Sequence, residues 1–521
     1  MELRAYKSNV YSEPLPPHPI PSIHFCRILQ VTVPSIPLHI PVLLQMSLAP
    51  SEKALRFLDN LRPITSLSNG RYDKRSFATP GSVVLAPGFQ NPIPHYLPSQ
   101  WTAHIHPEGQ LYFHRNSTLR VTTDAYLYNP EVLDLVILWV KTIEARIEAN
   151  NLPLSPSIEL FLLIENTGCA YYFIDHASRS QFWLEAIPSE ELNIPDVDSP
   201  SHLSLYLEYL YWTHVEHFPM HFGGLPVKVV QDLLCVFSHA LTDQITSQTS
   251  TFFYTQDECA KFIKILKLAR DNSFDGHQVC VVARLWSQVC SNRFLTHYGQ
   301  ANSRLNRDQA IIYDSPRASS WVSAVARRTT FHASDAYLAK LNELFVDRLV
   351  YFNQWQSFIR RCRHGWRTSF WTAFAILSLH GFLFFVQSEP LLVIASASLA
   401  VTSLFTSLIL LYRYDRLESD DACAYDVYEH LSALQSTKYD FQFVALSFAL
   451  PNALQIWALI FFALNSLLVL SNFVGIFCAA SCGLFVALVL FSLLRITSER
   501  SWDVLRLPQA FRREKMEHDL V

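Results

Sequence analysis

Four long apolar runs occupy the C-terminal third of the chain. None of them contains Asp, Glu, Lys or Arg, and each is close to the roughly 20 residues that a helix needs to cross a bilayer. The pattern predicts a transmembrane region over residues 369–494, with about four spans at 369–386, 391–412, 454–470 and 473–494. Three or five spans remain open, because the turn between the last two runs is very short and Pro451 interrupts the segment before the third.

Basic residues occur only at those ends of the runs that would face the same side of the membrane. Arg360 to Arg367 precede the first run, Arg413 and Arg416 follow the second, and Arg495 and Arg500 follow the fourth. By the positive-inside rule, the pattern predicts an integral, multi-pass membrane protein whose N-terminal part and C-terminal tail (495–521) face the cytoplasm. The sequence does not indicate the organelle, and the endoplasmic reticulum is one open choice.

Two segments upstream alternate apolar and polar residues with the period of β-strands. In the first (95–130), WTAHIH and QLYFHR flank a PEG turn and LRVTTDAYL follows. The second (158–188) repeats this plan with turns at ENTG and HASRS, and residues 131–150 between the two have helical periodicity. We predict two three-stranded antiparallel meanders joined by a helix, either independent or packed as one composite unit.

Helical periodicity also dominates residues 200–365, including a helix expected to run from about Ser334 to Ile359 toward the membrane. Residues 1–50 are interrupted by prolines and predict an extended arm of polyproline type. The predicted fold class is therefore α+β. It combines small β meanders, an α-helical middle domain and a C-terminal bundle of transmembrane helices.

Composition narrows the classes of function. Of the 521 residues, 50% are hydrophobic and 17% are charged, and the formal net charge is -4. Because no basic surface pattern is evident, we expect no nucleic-acid partner. The ten cysteines show no CxxC spacing, which favours a reduced, cytosol-facing protein. No phosphate-binding glycine loop and no GxSxG motif occurs, and the sequence nominates no cofactor.

The aromatic residues of the two strand segments follow a known spacing. In the first, LPxxW precedes Gly109 and an aromatic pair; in the second, an aromatic pair precedes a histidine and a tryptophan. These patterns resemble the front and back halves of a WW domain, a small β module that binds proline-rich peptides. The resemblance implies a structural core at Pro98, Trp101, Phe113, Phe161 and Phe173, and a peptide-binding groove at Tyr172, Ile174, His176, Arg179 and Trp183. Thr123 and Phe161 stand where the family has its groove and core tryptophans.

A second resemblance covers most of the chain. Residues 95–500 are similar to fungal multi-pass membrane proteins that carry a WW-like segment, a helical middle part and C-terminal spans. The matching stretches include YWTHVEHFP, TFFYTQDECAKFI and FVALSFALPNALQIWALI. This resemblance implies a domain architecture but does not imply an activity.

One histidine-rich stretch, YWTHVEHFPMHFGGLP, has residues suited to metal binding. His214 and His217 are three residues apart and would share one face of a helix, with Glu216 between them and His221 beyond a break at Pro219. The spacing makes His214, His217 and His221 candidate metal ligands. Ordinary polar packing at the end of a helix is the alternative.

Taken together, the sequence favours a membrane-anchored adaptor that presents a WW-like groove to a proline-rich peptide or protein. A metal-dependent membrane enzyme built around His214, Glu216 and His217 is the competing prediction, and a channel or transporter is a third. The lipid bilayer is an expected partner in each case. The nearly heptad spacing after Ser334 also leaves homo-oligomerisation open.

Overall fold

The computed structural model describes residues 10–12, 60–72, 81–82, 84–85, 87–88, 96–312 except 154, 167, 248 and 272–274, 321–383, 388–418, 423–436, 438–489 and 491–492. The predicted arm lies outside the described residues except for strand β1 (Val10–Ser12), and the predicted tail lies wholly outside them. The chain divides into two compact units. The first comprises Ser12–Asp314, and the second comprises Ser315–Val521 together with Met1–Tyr11.

A seven-stranded mixed sheet forms the centre of the first unit. The strands are β2 (Leu61–Pro63), β3 (Trp101–Ile105), β4 (Leu111–Arg115), β5 (Arg120–Thr123), β6 (Ile158–Glu165), β7 (Gly168–Asp175) and β8 (Ser180–Phe182). They lie in the order β2-β7-β6-β5-β4-β3, and β8 pairs with the part of β7 that β2 leaves open.

Both predicted meanders are present, and they belong to one sheet. Strands β3-β4-β5 and β6-β7-β8 are antiparallel, whereas β5 and β6 pair in parallel with Thr122 opposite Phe161. Helix α1 (Pro130–Ala149) supplies the crossover connection that a parallel pair requires. The two segments therefore form one composite unit, which was the alternative to two independent domains.

Helix α1 covers one face of the sheet. It begins where the Asn129 side chain accepts a hydrogen bond from the Glu131 N–H, with Pro130 in the first turn. Its buried side chains pack against alternate residues of the strands; this core includes Val136, Trp139, Ile143, Phe113, Val121, Leu160, Leu162 and Phe173. The predicted helix at 131–150 is thus confirmed, and one sheet face is apolar.

Four further helices complete the first unit: α2 (Pro200–His217), α3 (Val227–Thr246), α4 (Gln256–Asp271) and α5 (Gly276–Leu295). Helix α2 packs against α5, and the rings of Trp212 and Trp286 stack at 5.8 Å. The end of α2 reaches the second face of the sheet, where the Phe218 ring lies 5.1 Å from that of Phe161. The predicted helical domain at 200–365 is divided, because its last residues belong to the second unit.

The second unit is helical: α6 (Trp321–Thr329), α7 (Ala333–Leu344), α8 (Phe352–Leu383), α9 (Pro390–Arg413), α10 (Asp415–Glu418), α11 (Ala424–Leu434), α12 (Gln442–Val474) and α13 (Ile476–Val489). The single helix predicted from Ser334 to Ile359 was wrong. Strands β9 (Phe345–Val346) and β10 (Leu349–Tyr351) form a hairpin between α7 and α8. The two turn residues, Asp347 and Arg348, have positive φ angles of 49° and 61°, as a type I′ turn requires.

Two described helices, α9 and α12, are long and apolar enough to cross a membrane, judged by length and composition. They cover the second and third predicted spans. Residues 369–383 of the first predicted run form the end of α8, which carries several arginines in its first half. Within the fourth run, residues 476–489 form the shorter apolar helix α13. The structure therefore supports two candidate spans among the described residues, where the sequence predicted about four. Pro451 does not end α12, and its carbonyl accepts a hydrogen bond from the Ser403 hydroxyl.

Candidate functional site

The second face of the sheet carries polar side chains that α1 does not touch. Because side chains alternate along a strand, Phe113 and Val121 point to the α1 face, while His114, Thr122 and Glu159 point to the other. His114 lies directly opposite Thr122 in the ladder. Three neighbouring strands thus bring polar groups together beneath the end of α2.

Glu159 is the centre of this cluster. Its side chain is completely buried, which is rare for glutamate unless the carboxylate is paired. Oε1 accepts hydrogen bonds from the Thr122 hydroxyl at 2.6 Å and from His214 Nε2 at 3.1 Å. Oε2 accepts from His176 Nε2 at 3.0 Å and from His221 Nε2 at 3.2 Å. Two bonds to each oxygen use the full accepting capacity of the carboxylate.

A tyrosine hydroxyl lies behind each of these three histidines. The hydroxyl of Tyr172 is 3.0 Å from His214 Nδ1. The hydroxyl of Tyr112 is 3.3 Å from His221 Nδ1, and that of Tyr211 is 3.4 Å from His176 Nδ1. Three Tyr–His–Glu hydrogen-bond chains therefore end on one carboxylate. The Tyr112 hydroxyl also accepts the Met220 N–H at 2.7 Å, which fixes the loop that carries His221. Every ring nitrogen of the three histidines therefore has a partner.

The electrostatics favour a charged carboxylate on Glu159 and neutral rings on His214 and His114. Burial raises the pKa of Glu159, but the charge of His221 and the hydrogen bonds from the three histidines outweigh it and hold that pKa well below its usual range. Burial lowers the pKa of His214, against the opposing effect of Glu159. Burial, and then the charge of His221, lowers the pKa of His114 to about 3. Ionised carboxylate and neutral imidazole are the forms that bind metal ions.

Three of these residues also have the spacing of a metal site. His114, Glu159 and His221 each offer one ligand atom, and these three atoms lie within 4.8 Å of one another. The rings of His114 and His221 are stacked with centroids 4.0 Å apart. The Thr122 hydroxyl donates to Glu159, so it accepts from His114 Nδ1, 2.9 Å away, and this tautomer leaves the lone pair on the other ring nitrogen of His114.

A second group with suitable spacing, Asp198, His202 and His297, has a structural explanation. His202 Nδ1 accepts the Asp198 N–H at 3.3 Å, and its Nε2 donates to the Phe294 carbonyl at 3.0 Å. Both ring nitrogens of His202 are therefore used by the backbone. The group holds the chain before α2 against the end of α5.

The structure separates the predicted metal ligands. His214 and His221 both reach Glu159, but His217 does not, because the α-helical turn directs it toward Asn69, whose Nδ2 donates to His217 Nδ1 at 2.8 Å. Glu216 is held elsewhere by Arg284, with 2.6 Å between Oε1 and Nε. Of the predicted set His214, His217 and His221, the structure brings His214 and His221 to Glu159 and places His217 apart from them.

The predicted peptide groove needs correction as well. Tyr172 and Ile174 are completely buried, and the Tyr172 hydroxyl contacts His214 of α2, so neither residue can line a groove open to a peptide. His176 contacts Glu159, the Arg179 guanidinium lies 5.4 Å from the Trp212 ring, and Trp183 Nε1 donates to the Ile64 carbonyl. Among the predicted core residues, Trp101, Phe113 and Phe173 share the α1 face, Phe161 is buried on the opposite face, and Pro98 is half-buried.

Sequence reasoning missed Glu159, His114, Thr122 and Tyr112. The available signal was a lone glutamate in the apolar run IELFLLI and a histidine at an alternate position of QLYFHR. A charged residue in a buried strand predicts a partner, but the partner can be named only when the strand register is known.

Comparisons of the chain with protein-family models, with curated proteins and with solved structures found no match in any of the three. The resemblances to WW domains and to fungal membrane proteins therefore stay predictions.

Proposed function

We propose that the first unit is a metal-binding module and that His114, Glu159 and His221 hold the ion. The observation that carries the proposal is the convergence of three ligand atoms within 4.8 Å, from β4, from β6 and from the loop after α2. The ion would neutralise the charge of a completely buried carboxylate.

Zinc suits this ligand set best. Two imidazoles and one carboxylate are a common zinc combination, and at Zn–ligand distances of about 2.0 to 2.1 Å two ligands of a tetrahedral ion lie about 3.3 Å apart. His221 Nε2 donates to Glu159 Oε2 across 3.2 Å, a separation close to this edge. To bind the ion through Nε2, His221 would carry its proton on Nδ1, which faces the Tyr112 hydroxyl. Three protein ligands leave one coordination position, which is typical of catalytic rather than closed structural sites. The proposal therefore favours a metal-dependent enzyme.

Neighbouring hydroxyl groups would orient the ligands. Histidine ligands almost always place their second ring nitrogen against a polar partner, which fixes the tautomer. Tyr112 has this position at His221, and Thr122 has it at His114. His176 and His214 would hold the carboxylate of Glu159 from its other sides.

The second unit would attach the module to a membrane. We propose that α9 and α12 cross the bilayer, and that the apolar ends of the neighbouring helices complete the four spans predicted from the sequence. The arginines between Arg360 and Arg367 favour a cytoplasmic position for the N-terminal part. The predicted adaptor would need an exposed Tyr172 in its groove, whereas Tyr172 is completely buried.

Metal analysis of the full-length protein in detergent tests the site. We expect elemental mass spectrometry to detect about one zinc ion per chain. His114→Gln and His221→Gln should each lower the zinc affinity at least about 100-fold, since each removes a ligand. Competition with a chelating dye measures this change.

Two variants serve as matched controls. His217→Gln alters the ligand predicted from sequence spacing, and His297→Gln alters the second histidine group; both should leave zinc binding unchanged. A wild-type protein without a stoichiometric metal, or equal losses in His217→Gln and His221→Gln, would rule the assignment out. Detection of iron in place of zinc would keep the ligands and change the ion.

A further inference from the structure

Helix α8 has one exposed face whose chemistry changes along its length. The opposite face is buried in the core of the second unit, through Trp355, Cys362 and Trp366 among others. Exposed residues spaced by three or four form one stripe along the helix: Arg360, His364, Arg367, Trp371 and Phe374. From the start of α8 toward its end, this stripe is first basic, then aromatic and then apolar.

Helix α9 shows the same residue types in the reverse order along the chain. Toward its C-terminus, the exposed residues Ile409, Tyr412 and Arg413 are apolar, aromatic and basic in turn. In both helices an aromatic side chain therefore separates an exposed apolar part from an exposed basic part.

The basic parts of the two helices lie side by side. Arg363 Nη2 of α8 is 2.7 Å from Oδ1 of Asp415, which follows the end of α9. Farther along, Ile376 of α8 and Ala400 of α9 belong to one apolar cluster, so the two helices run antiparallel. Both exposed faces thus become apolar in the same direction away from the ion pair.

The basic part of α8 has no acid on its own helix to balance it. Four arginines occur within residues 360–367, whereas none of the 32 residues of α8 is Asp or Glu. Like charges three or four residues apart on a helix repel each other. Among the residues that the structure describes, neither Arg367 nor Arg413 forms an ion pair. An anionic partner from outside the chain would offset this repulsion.

We propose that Arg360, Arg367 and Arg413 bind the phosphate groups of anionic phospholipids where α8 and α9 enter the membrane. Basic side chains next to a span attract anionic headgroups, and tryptophan and tyrosine are enriched at the boundary between headgroups and hydrocarbon. Trp371 and Tyr412 have this intermediate position in the two helices. The inference rests on the membrane attachment proposed above and adds the class of lipid that the second unit selects.

Native mass spectrometry of the full-length protein in detergent tests the headgroup site. Titration with phosphatidylserine and with phosphatidylcholine of the same acyl chains compares an anionic with a neutral headgroup. Wild-type protein should bind phosphatidylserine at least about tenfold more tightly. Arg367→Gln and Arg413→Gln should each weaken this binding about fivefold and leave phosphatidylcholine binding unchanged, since a basic residue at an anionic lipid surface contributes on that order.

Two further variants separate charge from other effects of substitution. Arg367→Lys keeps the charge and should retain most of the preference for phosphatidylserine. Arg62→Gln is the matched control, because Arg62 is an exposed arginine of the first unit that pairs with Glu165. This change should leave the binding of both lipids unaltered.

A competitor without acyl chains distinguishes a phospholipid from a soluble phosphate ester. Glycerophosphoserine has the headgroup of phosphatidylserine but cannot cover Trp371 and Phe374, whose side chains are exposed. At equal concentration it should displace little phosphatidylserine. Displacement as effective as that by phosphatidylserine itself would overturn the lipid assignment, because the basic residues would then select a soluble phosphate ester.

Extraction with alkaline carbonate tests the membrane attachment separately. Wild-type protein that stays with membranes but binds the two lipids equally overturns the headgroup site and leaves the attachment standing. Equal losses in Arg367→Gln and Arg62→Gln also overturn the headgroup site. Selective binding that depends on Arg367 and Arg413 supports it even if carbonate releases the protein, since lipid binding is measured in detergent.

Discussion

At the scale of single residues, the buried carboxylate of Glu159 should contribute measurably to the free energy of unfolding. Its carboxylate accepts four hydrogen bonds and donates none. In Glu159→Gln, an amide NH₂ group would replace one carboxylate oxygen. This NH₂ group would face the side chains that donate to that oxygen, so buried donors would lose their acceptor. Such losses cost about 2 to 4 kcal/mol of unfolding free energy.

We therefore expect a clear drop in the thermal unfolding midpoint of Glu159→Gln, measured with a chelator present so that metal loss does not contribute. Glu165→Gln is the control, because Glu165 ends the same strand and forms an exposed ion pair with Arg62. That change should alter the free energy of unfolding by less than about 1 kcal/mol. Equal midpoints for the two variants would contradict the account of the cluster.

His106 gives a prediction about pH. Its Nδ1 accepts the Glu108 N–H at 3.0 Å and its Nε2 donates to the Glu216 carbonyl at 3.0 Å, so the folded protein holds the neutral ring. Burial, and then the charge of Arg71, lowers the pKa of His106 to about 4. Below about pH 6.5 the unfolded chain therefore binds a proton at His106 that the folded chain excludes.

Between about pH 6 and 4.5, His106 should lower the free energy of unfolding by about 1.4 kcal/mol for each pH unit of acidification. His106→Gln retains one donor and one acceptor and does not titrate. Its plot of unfolding free energy against pH should be less steep than the wild-type plot by about one proton. Parallel plots would show that His106 is protonated in the folded protein.

At the scale of elements, β2 is joined to the sheet by a close approach at Gly168. The Asn60 carbonyl accepts the Cys169 N–H at 3.1 Å, and a Cβ at residue 168 would overlap that carbonyl oxygen. Gly168→Ala should therefore displace β2 and cost about 1 to 3 kcal/mol of unfolding free energy. In Gly365→Ala, the new methyl group in α8 meets no atom within 4 Å, and the change should be neutral or slightly stabilising. Chemical denaturation of both variants compares the two sites.

The elements differ in how far the sequence could reveal them. Strands β3 to β8 lie within the two segments that the sequence predicts as meanders, and helix α1 follows from an apolar pattern of period 3.6. The parallel pairing of β5 with β6, and the addition of the three-residue strand β2, depend on contacts between distant segments. The β9-β10 hairpin was missed because its turn, Asp347 and Arg348, has no glycine or asparagine to signal positive φ.

The candidate site also depends on contacts between segments that are distant in the sequence. His214 and His221 were nominated because they are close in sequence, and both are present in the cluster. His114 and Glu159 could not be joined to them, because the link passes through the register of β4, β5 and β6 and the placement of α2. For the same reason Tyr172, which the WW resemblance placed at the surface, is covered by a helix that begins 28 residues later at Pro200.

At the scale of the whole molecule, helices α9 and α12 of the second unit carry large exposed apolar side chains. Phe405 of α9 is 56% exposed and Leu464 of α12 is 46% exposed, and only about a fifth of the most apolar stretch of either helix is buried. Exposed apolar area costs about 25 cal/mol per Å² in water. If α9 and α12 cross a bilayer, lipid removes this cost, and wild-type protein should remain with membranes after extraction with alkaline carbonate.

A double substitution, Phe405→Arg with Leu464→Arg, puts one charge in each of the two helices. Each arginine at the centre of a span costs at least about 2.5 kcal/mol, so the fraction of protein retained by membranes should fall. Leu138→Arg with Ile265→Arg is the control, because both positions are similarly exposed but lie on helices of the first unit. Retention of the control with release of the first variant would mean that α9 and α12 contact lipid. Release of wild-type protein by carbonate would instead mean that another protein surface covers these helices.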